Sequence, residues 1–258
     1  MTQRTVRSLM VAALFSPALV GCVASSDGET SAAEPAPVVV TTYTEGQLIT
    51  MFASVARPGD EAAAVRKGYF ERIAPITTDL GFSRDVGLRV TETVVGSFEP
   101  EAMGFFSWPS ADAENVLNQH PDWSKIKELR PQAWDQLRLY SKTLDEDLTL
   151  TFDSGKHYTV AVAWFDPDHP ELYDQYLDDV EPTLTKLNAR YIYKMRMPRF
   201  ETHTDPNKAP GQLTFVEWDT REGLNRFIRS RGFLKNYSSL QEGTVRFELH
   251  RIEPVVPG

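Results

Sequence analysis

The fold is decided by Phe105-Phe-Ser-Trp108-Pro-Ser-Ala-Asp-Ala-Glu-Asn115-Val-Leu117, which recurs as Phe215-Val-Glu-Trp218-Asp-Thr-Arg-Glu-Gly-Leu-Asn225-Arg-Phe227. In each copy an apolar run ends at Trp, and Ser110 or Thr220 follows two residues later. A hydroxyl there is placed to accept from the free N–H groups of a starting helix. Asp112 and Glu222 then fall in the first turn, where a negative charge is favoured by the helix dipole. The unit reads strand, cap, helix, twice over. A second block supports the repeat: Tyr69, Pro75, Thr78 and Leu80 match Tyr176, Pro182, Thr185 and Leu187 at one constant offset. Long-period self-similarity of this kind governs the whole fold.

Outward from these blocks each copy completes itself. In the first, residues 48–55 alternate as a strand. Pro58-Gly59-Asp60 turns and caps a helix towards Leu80, with Gly81 as its stop. Pro75 inside that helix predicts a kink or an early end. Residues 86–98 and 102–108 read as strands, then come a helix from Ala111, a break at His120-Pro-Asp-Trp123, a further helical stretch to about Leu129, and a strand over 137–141. The second copy repeats the order. Its strands fall at 158–165, 191–197, 212–218 and 244–250, with helices to about Leu187 and from Arg221, and a polar loop over 201–211. Both halves are βαββαβ, the ferredoxin-like order. Residues 142–156 read as a linker or an extra edge strand pairing with the other half.

Residues 1–21 read as a targeting segment. Arg4 and Arg7 precede an apolar run from Leu9 to Val20 that is short for a membrane span. Leu19-Val20-Gly21-Cys22 resembles the bacterial lipobox, which implies diacylation of Cys22 (palmitate-type chains), the one cysteine of the chain, and a lipid-anchored place in the cell envelope. Val23 after it leans by the same resemblance to the outer membrane, periplasmic side, over the inner membrane. With Cys22 acylated, no thiol remains for disulfide, redox or nucleophilic chemistry. Residues 22–45, rich in Ser, Ala, Glu, Pro and Thr, read as a disordered tether. Removing Arg4 and Arg7 from 27 basic residues leaves 25 against 36 acidic, a net charge of −11. That disfavours nucleic acid and anionic lipid surfaces as partners.

Two tandem βαββαβ units resemble the dimeric α/β-barrel superfamily, in which two ferredoxin-like sheets pack face to face. The Phe-x-x-Trp run, the following helix, Trp123 or Phe233, and Leu129-Arg130 are similar to an uncharacterised-domain branch of it, distantly related to antibiotic-biosynthesis monooxygenases. The resemblance covers roughly residues 46–253 and implies an α+β chain that forms the barrel within itself, as a monomeric pseudo-dimer of a 46–141 and a 157–253 domain. It implies a cavity between the sheets.

Alternation then orients the last strands. Leu137, Leu139, Val245, Phe247 and Leu249 should face the helices, and Arg138, Tyr140, Arg246, Glu248 and His250 the cavity or its mouth. Tyr191, Tyr193, Met195 and Met197 should share a face, opposite Arg190, Lys194 and Arg196. At the helix break, His120, Asp122, Trp123, Arg130 and Tyr69 form a candidate polar cluster in which Arg130 would hold a ligand carboxylate. His120 or His250 would be the base if there is chemistry; a capping turn at His120 and a helix-end ion pair at Arg130 are the plainer alternative. The five histidines, His120, His157, His169, His203 and His250, show no HxH or HExxH spacing, so no metal is expected, and no nucleotide or other cofactor motif occurs. Three functions fit: binding a small, partly apolar molecule between the sheets; a cofactor-independent monooxygenase or isomerase in that cavity; or an envelope scaffold that binds a protein partner through an outer apolar patch.

Overall fold

A computed structural model describes residues 37–204 and 209–255. The signal segment, Cys22 and most of the expected tether lie outside the described residues. The first half contains β2 (Leu48–Ala56), α1 (Asp60–Asp79), β3 (Ser83–Val95), β4 (Ala102–Trp108), α2 (Ala111–Gln119), α3 (Trp123–Lys127), α4 (Arg130–Ala133) and β5 (Trp134–Thr143), preceded by β1 (Val38–Tyr43). After β6 (Leu148–Asp153), the second half contains β7 (His157–Phe165), α5 (Glu171–Lys186), β8 (Ala189–Arg196), β9 (Arg199–Thr202), β10 (Gln212–Trp218), α6 (Gly223–Ile228), α7 (Arg231–Glu242) and β11 (Thr244–Val255). This is the tandem ferredoxin-like order.

The strands hydrogen-bond in the order β8-β10-β7-β11-β3-β4-β2-β5-β9. The two strands at the ends of that list are consecutive in the chain. Only Met197 and Pro198 separate β8 from β9, and Met197 turns the strand with φ 45° while its N–H donates to the Gly211 carbonyl at 2.8 Å. The sheet therefore closes into a barrel, which removes the free edges that invite aggregation. Its two seams are alike. β3 pairs with β4 through Ser83–Arg89 and with β11 through Gly87–Val95; the β8–β9 segment pairs with β10 and then, through Arg199–Thr202, with β5. Each half thus lends a long second strand to the last strand of the other.

Three apolar layers result. One lies between the first sheet and its helices, around Tyr69, Trp108, Leu117, Trp123, Trp134 and Leu137. A second lies behind the other sheet, around Tyr173, Tyr176, Trp218, Phe227 and Phe233. The third is the barrel interior, where Met51, Phe105, Val160, Met195, Leu213 and Phe215 are buried, and the Phe105 and Phe215 rings meet 5.3 Å apart. The cavity expected between the sheets is a packed core. Bulky side chains on the inward faces of both halves meet across it, so the space is spent on their contacts.

Several local expectations are corrected. Val38-Val-Val-Thr-Thr-Tyr43, expected as tether, is β1; it pairs antiparallel with β6, and Tyr43, Leu150 and Phe152 join the interior cluster. Its β-branched run is a strand signal that the polar residues before it mask. The 142–156 stretch thus supplies a strand, but it pairs with β1 and not with the other half's sheet. Pro75 and Pro182 neither end nor shorten their helices, which continue to Asp79 and Lys186. Ser110 caps α2 by accepting from the Ala113 N–H, whereas Thr220 does not cap α6, which begins at Gly223 without a side-chain cap. There the Thr220 carbonyl accepts from Gly223, and a Cβ at Gly223 would come within 2.9 Å of the Trp218 ring, so the chain turns tightly before the helix starts. Asp60 is the first residue of α1, not its cap; Gly59 takes that place at φ 94°. The polar 201–211 loop starts later than expected, because Glu201 and Thr202 belong to β9.

Candidate functional site

The inward-facing polar residues of β5 and β11 gather at one place. Arg138 on β5 donates from Nη1 to both carboxylate oxygens of Glu248 on β11, at 3.1 and 2.9 Å. Arg246 donates to Glu248 Oε1 from Nε at 3.1 Å and from Nη2 at 2.6 Å. Arg138 lies over the Phe98 ring (3.6 Å) and Arg246 over Trp164 (4.2 Å), so both guanidiniums are sandwiched between an aromatic face and a carboxylate. Burial alone would raise the Glu248 carboxyl, but the Arg138 and Arg246 guanidiniums bonded to it outweigh that and hold it below the usual carboxylate range. Burial pushes the Tyr140 phenol well up, and its ring stacks on Phe200 at 5.1 Å. Gly96 makes room for this cluster: at φ 112°, a Cβ there would meet Glu248 Cγ at 2.9 Å.

His250, expected as a base, is sealed in this cluster. Its Nδ1 is 3.1 Å from Thr93 Oγ1, and its Nε2 stands 3.9 Å from Glu248 Oε2, too far for a hydrogen bond. It is 0% exposed, so no substrate reaches it. Arg138 and Glu248 are as enclosed, and the cluster joins the two halves by a buried ion pair rather than lining a binding space.

The helix-facing side of the first sheet does offer space. A pocket of about 330 Å³ is lined by Lys127, Arg130, Pro131, Leu137, Leu139, Glu201, Thr202 and His203. Its construction follows from the broken second helix. Pro121 ends α2, α3 and α4 are short, and Pro131 sets the single turn of α4 before the chain enters β5 at Trp134. In the second half α7 is a longer helix, and Phe233, Tyr237 and Val94 and Val95 of β3 belong to one apolar layer there.

Arg130 is the pivot. It is buried; its Nε donates to Tyr69 Oη at 3.2 Å, its Nη1 to Glu201 Oε1 at 2.8 Å, and its guanidinium lies 5.0 Å from the centre of the Trp123 ring. Lys127 Nζ also reaches Glu201 Oε1, at 2.6 Å. The carboxylate expected on Arg130 from a ligand is thus supplied first by the chain itself. Burial would raise the Glu201 carboxyl, and the Arg130 and Lys127 cations more than cancel it, lowering it. Tyr69, Trp123 and Arg130 come together as expected, but His120 does not join them. It ends α2 in a capping turn, its Nδ1 accepting from the Asp122 N–H at 3.2 Å, and Asp122 is exposed.

Of the pocket's polar residues only Arg130 was a candidate in the sequence; Lys127, Glu201, Thr202 and His203 were missed. For the last three the signal was there in the alternation of Phe200, Glu201, Thr202 and His203, hidden beneath a proline-bearing polar stretch. Alternation also misleads: Tyr191 packs with the helix layer and Tyr193 with the interior, and Met197 is exposed. A register shift between Phe215 and Val216 of β10, opposite the two tyrosines, turns the strand over. Val245 is exposed for a similar reason, a shift between Thr244 and Arg246. Among the described residues no group of His, Cys, Asp or Glu is arranged to hold a metal ion, and no helix is long and apolar enough to cross a membrane.

No protein-family model matches the sequence, and no curated protein matches it. Among solved structures, an anthrone oxidase-like protein superposes with a TM-score of 0.52 at 9% identity, over 84% of this chain and 95% of that one. This likeness shows the fold, the dimeric α/β-barrel built from ferredoxin-like units. A protein of Lactobacillus acidophilus provisionally described as a monooxygenase aligns at a TM-score of 0.41 and 8% identity, over 81% of this chain and 94% of its own. A variant chlorite dismutase from Candidatus Nitrospira defluvii aligns at 0.41 and 10% identity, over 82% and 93%.

Proposed function

We propose that this protein binds a small, partly apolar anion in the pocket between α3–α4 and the β5–β9 edge, and that it does so as a lipid-anchored protein of the cell envelope. One observation carries the binding reading: Leu137, Leu139 and Pro131 line the same 330 Å³ space as Lys127, Arg130, His203 and the single carboxylate Glu201. Two fixed cations against one carboxylate leave a positive excess, and the volume lies at the small end of ligand pockets. Arg130 Nη2 makes no hydrogen bond among the described residues, and Lys127 spends one of its donors on Glu201. Donors therefore remain for a second anion. The barrel interior, being packed, has no part in this reading.

Anilinonaphthalene sulfonate, an apolar anion, is a suitable probe. It is expected to fluoresce on binding the full chain, and Leu139→Trp, which fills the pocket, is expected to weaken that binding at least tenfold. Equal affinity in the variant would remove the pocket from consideration. The anchor rests on the lipobox-like Leu19-Val20-Gly21-Cys22. Metabolic labelling with a palmitate analogue is expected to mark the protein and to be lost in Cys22→Ser; label retained in that variant would sink the anchor.

A second reading, a cofactor-independent monooxygenase or isomerase in the same pocket, is favoured by the unpartnered ring nitrogen of His203. The name of the anthrone oxidase-like protein is compatible with it and adds nothing about residues. The exposed large apolar side chains are spread over β1, α1, α2, the β8–β9 turn, α7 and β11, and no observation favours the scaffold reading.

A further inference from the structure

We infer that the pocket's ligand is a carboxylate bearing an apolar group, and that Glu201 is the tethered anion it displaces. This rests on the binding reading above and deepens it. The chain itself shows how a carboxylate is received here: Lys127 Nζ and Arg130 Nη1 converge on Glu201 Oε1 at 2.6 and 2.8 Å. A free carboxylate set on those two cations meets the same donors.

Glu248 and Glu201 are each shared by two cations, yet they are held differently. Glu248 has both oxygens bonded by Arg138 and one also by Arg246, and its side chain is 1% exposed. It is built in. Glu201 uses one oxygen; its Oε2 accepts no hydrogen bond among the described residues, and its side chain is 42% exposed. A carboxylate this exposed recovers its hydration when it turns outward, so it leaves at little cost.

Arg130, in contrast, stays. Its side chain is 10% exposed, its Nε donates to Tyr69 Oη at 3.2 Å, and its guanidinium lies over the Trp123 ring. Left alone it is a nearly buried, unpaired cation, which is costly, so the departure of Glu201 is coupled to the arrival of another anion. Burial raises the Glu201 carboxyl, and Arg130 and Lys127 more than cancel this, so Glu201 competes as a full charge at neutral pH.

Register places the apolar part of the ligand. Glu201 stands opposite Leu139 of β5, and partners across a strand pair share a face. Leu137, two residues along, shares it too, and both leucines line the pocket with Pro131. A molecule whose carboxylate takes the place of Glu201 lays its apolar group on these side chains.

Naphthoate and its neutral counterpart naphthalenemethanol test this, by displacing anilinonaphthalene sulfonate from the full-length chain. In Glu201→Gln, which cannot compete as an anion, the ratio of naphthoate to naphthalenemethanol affinity is expected to rise about tenfold, the effect of removing one charge-assisted contact. Glu201→Asp, which keeps the charge but draws it back by one methylene, is expected to give a smaller rise. Asp178→Asn, at an exposed acid of α5, is expected to keep the wild-type ratio. An unchanged or lower ratio in Glu201→Gln overturns the inference. So does a rise in Glu201→Gln with none in Glu201→Asp, or an equal rise in Asp178→Asn, since either marks repulsion at a distance and not exchange. In those cases probe binding that Leu139→Trp weakens leaves the binding reading standing. If neither naphthalene compound displaces the probe from wild type or Glu201→Gln, the inference falls alone; if the probe does not bind, both fall together.

Discussion

Arg138→Met is expected to destabilise the protein by about 3 kcal/mol or more, because it leaves the Glu248 carboxylate buried with one of its two guanidiniums gone. Removing one member of a buried pair costs more than removing both. The double variant Arg138→Met, Glu248→Leu should therefore recover much of the loss, and urea unfolding of the full cycle measures the coupling. Arg246 is partly exposed and can turn to solvent once Glu248 is gone. The pH dependence follows from the sign of the shift. Glu248 has a folded value below its unfolded one, near 4.3, so its contribution is complete above that value and is lost as pH falls through the folded value. In Arg138→Met the burial that would raise the carboxyl is less opposed, so Glu248 should accept a proton at a higher pH. The gap between wild type and variant should narrow as pH falls below about 5. A gap that widens with acid would contradict the assignment.

Phe105→Ala should cost about 3–5 kcal/mol, the range for emptying a packed aromatic site. Phe105 comes from the first half and meets Phe215 of the second, so the cavity opens at the junction of the halves. Lined by Met51, Leu213 and Phe215, it should stay dry and take up xenon or benzene. Val116→Ala, at an exposed site, should change stability by less than about 0.5 kcal/mol. If Phe105→Ala were as mild, the barrel would hold open space and a ligand between the sheets would return as the better reading.

What the sequence made legible was what is periodic and local. The Trp108 and Trp218 blocks mark two strand–helix units because each strand must bury one face and each helix one stripe. Arg138, Tyr140, Arg246, Glu248 and His250 could be assigned a common side because the other side of β5 and β11 carries leucines and phenylalanine at period two. Their role was not legible. Whether they line a cavity or cross-link a core depends on Phe98, Trp164 and Thr93, which arrive from turns and strands remote in sequence. At the candidate site, Tyr69, Trp123 and Arg130 were marked by the break at Pro121. Glu201 and His203 were not, because β9 exists only by pairing with β5, a contact across half the chain. A four-residue strand after Pro198 carries little local signal. Tyr191 failed for a related reason: a bulge changes the facing of a strand without changing its composition.

Binding is placed outside the barrel, between α3–α4 of the first half and the β9 segment that the second half lends to β5. It is tested most directly by following backbone amide chemical shifts of the full chain while anilinonaphthalene sulfonate is added. The account predicts the largest shifts at Lys127, Leu137, Leu139, Thr202 and His203, with the amides around Thr93 and Glu248 and the α7 layer of the second half nearly still. Shifts centred on Thr93, Glu248 and His250 would place the ligand inside the barrel and contradict it.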